Sequence, residues 1–329
     1  MKAVLCRAFG PPETLAFETV DPPSLGPGEV RIAVAAVGVN FPDLLLIEGK
    51  YQVRPPFPFS PGLECAGTVA ELGPGADGPA PGTRVLAYCT HGCMAEEVVA
   101  PASSVIPIPD AMPFDVAAAF PVVYGTGYHA LVGRAALEEG ETLLVLGASG
   151  GVGLSAVEIG KRLGATVIAA ASSDEKLALA EAHGADHLVN YGADDLRERV
   201  KALTDGRGAD VIYDPVGGDF FDTSMRCIAW NGRLLVIGFA SGRIAEARTN
   251  IVLLKEMSVV GVAWGAFAFR DSAANRAYFE ELFRWYRAGA LKPRVSRHLP
   301  LANAPQALAA FQERSVLGKQ VLTVERSAG

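Results

Sequence analysis

Basic residues are the first shortage in this chain. It carries 29 Lys and Arg against 36 Asp and Glu, a formal charge of −7, and nowhere gathers its cations into a block. Nucleic-acid binders neutralise phosphates with a basic stripe, so the balance argues against a polyanionic partner. Long apolar runs are also missing. No uninterrupted hydrophobic stretch could cross a bilayer, and the opening MKAVLCRAFGPPETL holds no apolar segment of signal-peptide length. Cysteine is scarce: five in 329 residues, an odd count without a framework spacing, which reads as a reduced protein rather than a disulfide-stapled one. Internal repeats and low-complexity tracts are absent. These absences together predict a soluble, cytoplasmic protein that binds neither nucleic acid nor membrane.

Apolar residues are plentiful. Half of the chain is hydrophobic, and its length suits two domains. Residues 1–121 consist of short strand-like runs such as VRIAV (30–34), GTVAEL (67–72) and RVLAY (84–88). Pro/Gly-rich breaks separate them, a spacing that predicts a compact, irregular β-barrel. From 122 to 266 strands alternate with helices. The strands are expected at 142–147, 166–171, 187–190, 209–214, 232–238 and 257–263, with helices at 151–164, 174–184 and 194–205. Short connections of this kind imply an α/β fold with a parallel sheet and right-handed crossovers. The tail, 267–329, reads as helix (274–288), strand (295–299), helix (304–313) and strand (320–324).

Between the first strand and the first helix of that alternation lies Ala148-Ser149-Gly150-Gly151-Val152-Gly153. It is the dinucleotide fingerprint G-x-G-x-x-G with Ala in the first slot. Gly150 would let the backbone approach a pyrophosphate, and Gly153 would let the helix pack close to its strand. The free amides and positive end of the helix would then face the phosphates. A strand–turn–helix context is what this motif requires. Which dinucleotide binds is decided about 20 residues on, where an NAD site places a carboxylate against the ribose hydroxyls. Here the strand ends in Ser172-Ser173, followed by Asp174-Glu175-Lys176. A neutral strand end with Lys176 nearby suits a 2′-phosphate and favours NADPH. Ser172 with Glu175 also reads as a capping box, with Lys176 solvated on the helix face. Backbone groups at the carboxyl ends of later strands, Val216, Phe239-Ala240-Ser241 and Ala263-Trp264, are further candidates to meet the cofactor.

Several stretches in register carry a wider likeness: GVNFPDLLLIEGKY (38–51), PGLECAGTVAELG (61–73), GCMAEEVVAP (92–101), YGTGYHAL (124–131), GASGGVG (147–153) and GKQVLTV (318–324). On them the chain resembles the zinc-free quinone oxidoreductases of the medium-chain dehydrogenase/reductase superfamily. The resemblance implies a GroES-like barrel domain built from both termini, residues 1–121 and 267–329. A Rossmann domain at 122–266 would accompany it, with NADPH in the cleft between them. It sets Asn40 and Thr126 near the nicotinamide. Tyr51 falls where related enoyl-thioester reductases carry a tyrosine assigned to proton donation, and Tyr191 and Arg314 would join Lys176 around the 2′-phosphate. It also implies a homodimer through the last Rossmann strand, Met257–Trp264.

The likeness is instructive where it fails. The superfamily's zinc alcohol dehydrogenases place Cys, His and Cys at positions that fall here on Asn40, Leu63 and Val122. None of these suits Zn²⁺, which takes thiolate or imidazole ligands, and Cys89-Thr-His91-Gly-Cys93 lacks a second pair, so no metal is expected. Without a Lewis acid, an alkoxide is hard to form near neutral pH. The reaction that remains is hydride transfer from NADPH to an acceptor already electron-poor: a quinone, or an alkene conjugated to a carbonyl. Two alternatives stay open: an enoyl-thioester reductase, with Arg54 as its one basic hint, and an NADPH-binding sensor or structural protein without catalysis.

Overall fold

Glycine and proline breaks keep the first hundred residues in short pieces, and one long strand organises them. The structure, a computed structural model, describes residues 1–313 and 315–325. Its residues group into two compact units. The first comprises Met1–Val122, Ala268–Ala277 and the chain from Pro293 onward; the second comprises Val123–Phe267 and Tyr278–Lys292.

The first unit opens with a hairpin of β1 (Lys2–Leu5) and β2 (Ala16–Thr19). The organising strand is β3 (Glu29–Val39), whose side chains alternate between half-buried and buried before the last four turn wholly inward. Alternation at period two is what a strand with one face on a core requires. Around it run β4 (Glu64–Leu72), β5 (Arg84–Tyr88), β6 (Glu97–Pro101) and β7 (Val105–Pro107). The seven-stranded sheet has the order Val295–Pro300, Lys319–Thr323, β3, β4, β5, β7, with β6 also paired to β3. Two short helices, α1 (Phe41–Ile47) and α2 (Phe114–Ala118), lie against it. The core fills with β-branched and aliphatic residues such as Val30, Ile32, Leu46 and Ile47, all fully buried. Register fixes what meets at the end of β3. Glu64 lies opposite Gly38, and Gln320 lies opposite Val39 with Lys319 just before it, so the strands flanking β3 bring a carboxylate and an ammonium to Asn40.

The second unit is a six-stranded parallel sheet of β8 (Thr142–Leu146), β9 (Thr166–Ala171), β10 (His187–Asn190), β11 (Ala209–Asp214), β12 (Ile228–Val236) and β13 (Ser258–Gly261). Their spatial order is β10-β9-β8-β11-β12-β13, the doubly wound order in which the first strand lies at the topological switch point. The helices are α3 (Pro121–Tyr128), which enters this unit from Val123, then α4 (Gly151–Arg162), α5 (Asp174–Ala182), α6 (Leu196–Leu203), α7 (Asp219–Cys227) and α8 (Thr249–Lys255). Every side chain of β8 is buried, as a central parallel strand covered on both faces demands.

One expected element differs. The apolar run 257–264 is not one strand: β13 covers only Ser258–Gly261, and Trp264 begins a further helix, Trp264–Arg270. Trp264 therefore does not sit at a strand end. It is buried, and its indole lies so close to Gly125 that a Cβ there would overlap it.

Candidate functional site

The glycine turn leaves β8 through Gly147, whose φ of +58° places it in the left-handed region. The tight-turn role thus belongs to Gly147, one residue ahead of the slot that Ala148 fills in the fingerprint. Ala148 and Ser149 are buried, and Gly150 caps α4 without a side-chain acceptor. A Cβ on Gly150 would meet nothing nearer than the Gly147 carbonyl at 3.5 Å, whereas one on Gly153 would overlap that carbonyl and Ala148. Gly153 is thus required by helix–strand packing, while the space beside Gly150 stays open. The first turn of α4 carries no acidic residue, so the amides of Gly151, Val152 and Gly153 present uncompensated positive potential. Backbone donors, dipole and open space together fit a pyrophosphate.

The next strand end supplies a second part of the same edge. Ser173, not Ser172, caps α5 by accepting from the Lys176 amide at 3.4 Å. Ser172 is therefore free of the capping role and exposed, and the Lys176 ammonium donates to its hydroxyl at 3.0 Å. Asp174, whose charge would oppose a phosphate, accepts from Asn190 Nδ2 at 2.7 Å. The Tyr191 amide donates to Ala171 O, and its ring lies 4.5 Å from that of Phe220. Ser172, Lys176 and Tyr191 are thus brought together at the carboxyl ends of β9 and β10. Arg314 lies outside the described residues.

The loops after β11 and β12 are tied to each other. Asp214, buried at the end of β11, accepts from the amides of Val216 at 2.9 Å and Gly217 at 2.8 Å. Burial pushes its carboxyl above the usual range, against the pull of those two amides. The Ala240 amide donates to Pro215 O and the Ser241 amide to Val216 O. The N–H groups of Val216, Ala240 and Ser241 are therefore spent inside the loops. Phe239 remains 39% exposed, and the Ala263 carbonyl accepts from Phe267. In the sequence nothing distinguishes Asp214 from an ordinary strand-ending turn residue.

In the same unit α3 presents Thr126. The motif Tyr124-Gly125-Thr126-Gly127 has a steric reason: Gly125 abuts the Trp264 indole, and a Cβ at Gly127 would come within 2.9 Å of Ile159. Both flanking positions must be bare, and half-buried Thr126 is left as the side chain on display between them.

The first unit holds a buried polar cluster at the end of β3. Lys319 Nζ donates to Glu64 Oε1 and Asn40 Oδ1 at 2.6 Å each and to Val39 O at 3.0 Å. Asn40 Nδ2 donates to Glu64 Oε1 at 2.8 Å and to Gly38 O at 3.4 Å, and Glu64 Oε2 accepts from the Val122 amide at 2.7 Å. Asn40, Glu64 and Lys319 are all buried. The side-chain amide of Asn40, expected to be free for cofactor or substrate, is spent on this cluster at both of its ends. Asn40 is the N-cap of α1, and Asp43, the third residue of the helix, closes the capping box by accepting from the Asn40 amide at 2.8 Å. It is fully buried, and desolvation pushes its carboxyl up to about 7 against the Asn40 hydrogen bond and the Lys319 charge. Tyr51 packs half-buried on the barrel core, and burial, then the nearby Asp43, raises its phenol pKa. At neutral pH it is a protonated donor.

The three slots where zinc dehydrogenases have ligands hold Asn40, buried Leu63 and Val122, and they offer no thiolate or imidazole. Among the described residues no three His, Cys, Asp or Glu side chains are grouped to hold a metal ion. Cys89 and Cys93 are buried free thiols whose amides pair with Leu63 O and Gly62 O. These residues do not fit a catalytic zinc.

Two family descriptions match the chain: an alcohol dehydrogenase GroES-like domain over residues 26–110 and a zinc-binding dehydrogenase domain over 151–285. A quinone oxidoreductase-like protein 2 homolog of Nematostella vectensis is 37% identical over 99% of this chain and 89% of its own length. A quinone oxidoreductase of Pseudomonas aeruginosa is 34% identical over 98% of this chain and 99% of its own. Among solved structures, a mycobacterial protein complexed with NADPH superposes with a TM-score of 0.93 at 31% identity, covering 98% of this chain and 100% of that one. No described helix is long and apolar enough to cross a membrane. With relatives this similar over nearly its whole length, the chain belongs to the quinone oxidoreductase family, a zinc-free branch of the medium-chain dehydrogenases/reductases.

Proposed function

We propose that this protein is an NADPH-dependent reductase that delivers hydride to quinones or to α,β-unsaturated carbonyl compounds. The observation that carries the cofactor half is the carboxyl edge of β8 to β10. An uncapped glycine turn there stands beside a strand end with Ser172, Lys176 and Tyr191 and with Asp174 tied back to Asn190. The mycobacterial relative solved with NADPH supports the same reading. In this role Gly151, Val152 and Gly153 donate to the pyrophosphate, and Lys176 with Ser172, Tyr191 and Arg314 meets the 2′-phosphate. When bound, NADPH supplies the hydride. Thr126 orients the nicotinamide side of the site, and Tyr51 gives its phenolic proton to the oxygen that becomes anionic on the reduced acceptor. Asn40 acts from within the barrel cluster, holding the end of β3.

The acceptor half rests on chemistry: the three metal slots hold an amide and two apolar side chains, so only molecules that accept hydride without a Lewis acid are convertible. NADPH oxidation measured against a panel of quinones and enones tests the proposal, with crotonyl-CoA included for the enoyl-thioester alternative. Arg54, the one basic hint for that alternative, donates to Gly49 O at 3.1 Å and lies 6.0 Å over the Phe9 ring. Turnover of crotonyl-CoA alone would transfer the assignment to the thioester reductases. Tight NADPH binding with no acceptor reduced would make the protein a sensor.

The same proposal includes a homodimer built on β13, the last strand of its sheet, which carries exposed Val259; Leu253 and Leu254 on the preceding helix α8 are exposed as well. Apolar edges of this kind need a cover, and sedimentation of the wild type against Val259→Lys tests it. A cytoplasmic location suits five free cysteines, and cell fractionation checks it.

A further inference from the structure

Glu158 is a buried carboxylate that none of the chemistry above uses. It lies on α4, about two turns beyond the glycine turn, and is 3% exposed. Its donors come from three separate segments. Tyr124 Oη donates to Oε2 at 2.7 Å, His183 Nδ1 lies 2.6 Å from Oε1, and the Lys292 amide reaches the two oxygens at 3.1 and 3.2 Å. Burying a carboxylate is costly unless its lone pairs are filled, and here both oxygens are served. One buried carboxylate thus ties together α3, His183 and the Lys292 backbone.

One of those partners is α3. Along this helix the contacts with α4 are tight and directional: Ser155 Oγ donates to Val123 O at 2.9 Å, and Gly127 rides against Ile159 and Ser155. Tyr124 and Thr126 are two residues apart, so they point to roughly opposite sides of the helix. Anchoring the Tyr124 hydroxyl on Glu158 thereby sets both the height of Thr126 along α4 and the direction in which it faces.

We infer that Glu158, acting through Tyr124, is a positioning residue that holds Thr126 at a fixed distance from the phosphate-binding turn of the same helix. The inference rests on the reading of Thr126 as the group beside the nicotinamide. A dinucleotide has a set length between pyrophosphate and nicotinamide, so a shift of α3 along α4 by an ångström would misalign the reacting end while the phosphates stay bound. Misplacements of that size cost on the order of 100-fold in rate.

The test is a double-mutant cycle of Tyr124→Phe and Thr126→Ala, measured in the intact protein with the best acceptor of the panel. Tyr124→Phe keeps the ring and removes only the hydroxyl. It should lower kcat roughly tenfold while the KM for NADPH changes less than twofold. In the Thr126→Ala background the same change should leave kcat where Thr126→Ala has put it, although its cost in Tm persists. A loss in kcat that multiplies in the double variant, or a Tyr124→Phe enzyme with wild-type kcat, would overturn the inference. Should Thr126→Ala itself be fully active, both the role of Thr126 and the inference fall, whereas wild-type turnover of the acceptor still upholds the reductase assignment. Glu158→Gln, scored in the same cycle, should reproduce the Tyr124→Phe pattern if the carboxylate is the anchor; additivity with Tyr124→Phe would overturn that assignment.

Discussion

Replacing Lys319 by Met removes one ammonium and leaves its three acceptors in a dry barrel. Glu64 is fully buried, and its Oε1 would keep only Asn40 Nδ2 at 2.8 Å, with Oε2 still on the Val122 amide at 2.7 Å. Asn40 Oδ1 and Val39 O would each lose a donor. Stranding one member of a buried ion pair costs about 3–5 kcal/mol, and an orphaned buried acceptor about 1–3 kcal/mol. Because Glu64 retains two hydrogen bonds, a total near 4 kcal/mol is expected. The three tryptophans, Trp230, Trp264 and Trp285, all belong to the second unit. Urea unfolding followed by far-UV circular dichroism should therefore show an early loss of barrel signal at concentrations where tryptophan emission is unchanged. Adding Glu64→Gln removes the stranded charge and lets the new amide donate to Asn40 while its oxygen still accepts from Val122, so the double variant should regain at least half of the loss. A single variant costing under about 1 kcal/mol, or a double variant no better than the single, would refute the reasoning about this cluster.

Asp43 makes the barrel sensitive to pH in an unusual direction. Its carboxyl titrates near 7 in the fold against 3.8 for the ordinary group, so between those values the folded chain binds more protons than the unfolded one. Stability should then fall as pH rises from about 4 to 7, by roughly 3–5 kcal/mol from this group. Asp43→Asn should flatten the slope and surpass the wild type at pH 8; parallel stability–pH curves would refute it. Lys176→Ala should raise the KM for NADPH about 10- to 100-fold and that for NADH little, with equal effects on both disproving a 2′-phosphate contact. Gly125→Ala forces a methyl into the Trp264 indole. It should cost about 1–3 kcal/mol, shift tryptophan emission and lower kcat, and an enzyme unchanged in all three would contradict the packing of α3. All five cysteines are buried free thiols, and burial pushes that of Cys227 up to about 11. A thiol reagent should titrate none in the folded protein and five in denaturant.

Much of the second unit was legible because its signals are local. β9 and β11 fall where period and punctuation put them, since central strands of a parallel sheet are largely apolar runs that end in turn residues, and the edge strand β10 is set off by the breaks on either side of it. Local signals fail where two structures share one pattern. MSVVGVAW reads as a single strand, yet after Gly261 the chain makes only one more bond to β12, from the Val262 amide to Val236 O, and then turns into a helix that begins with buried Trp264. An apolar run cannot say which of its residues are covered by a sheet neighbour and which by helices. Likewise Ser172 with Glu175 reads as a capping box for α5, but the helix begins one residue later, so Ser173 caps it and Ser172 is left to Lys176. Asp219–Cys227 and Thr249–Lys255 carry no start signal in the sequence because each opens without a side-chain cap, whereas α5 and α6 open on Ser173 and Asp195.

The polar clusters had no such signal. Lys319 and Glu64 are 255 residues apart and meet only because Lys319–Thr323 and β4 both pair with β3. In the sequence each looks like a surface charge on a strand, and nothing in either neighbourhood says that the other will neutralise it. Asn40 was readable as important through its likeness to a metal slot, but that likeness suggested an amide facing outward. The structure gives a physical reason for the opposite: the amide is neutral and satisfies the ammonium with its oxygen and the carboxylate with its nitrogen at once. A cysteine there could accept from Lys319 only weakly and would leave Glu64 short of a donor. Asn40 is therefore engaged at both ends of its amide by the barrel's own charges.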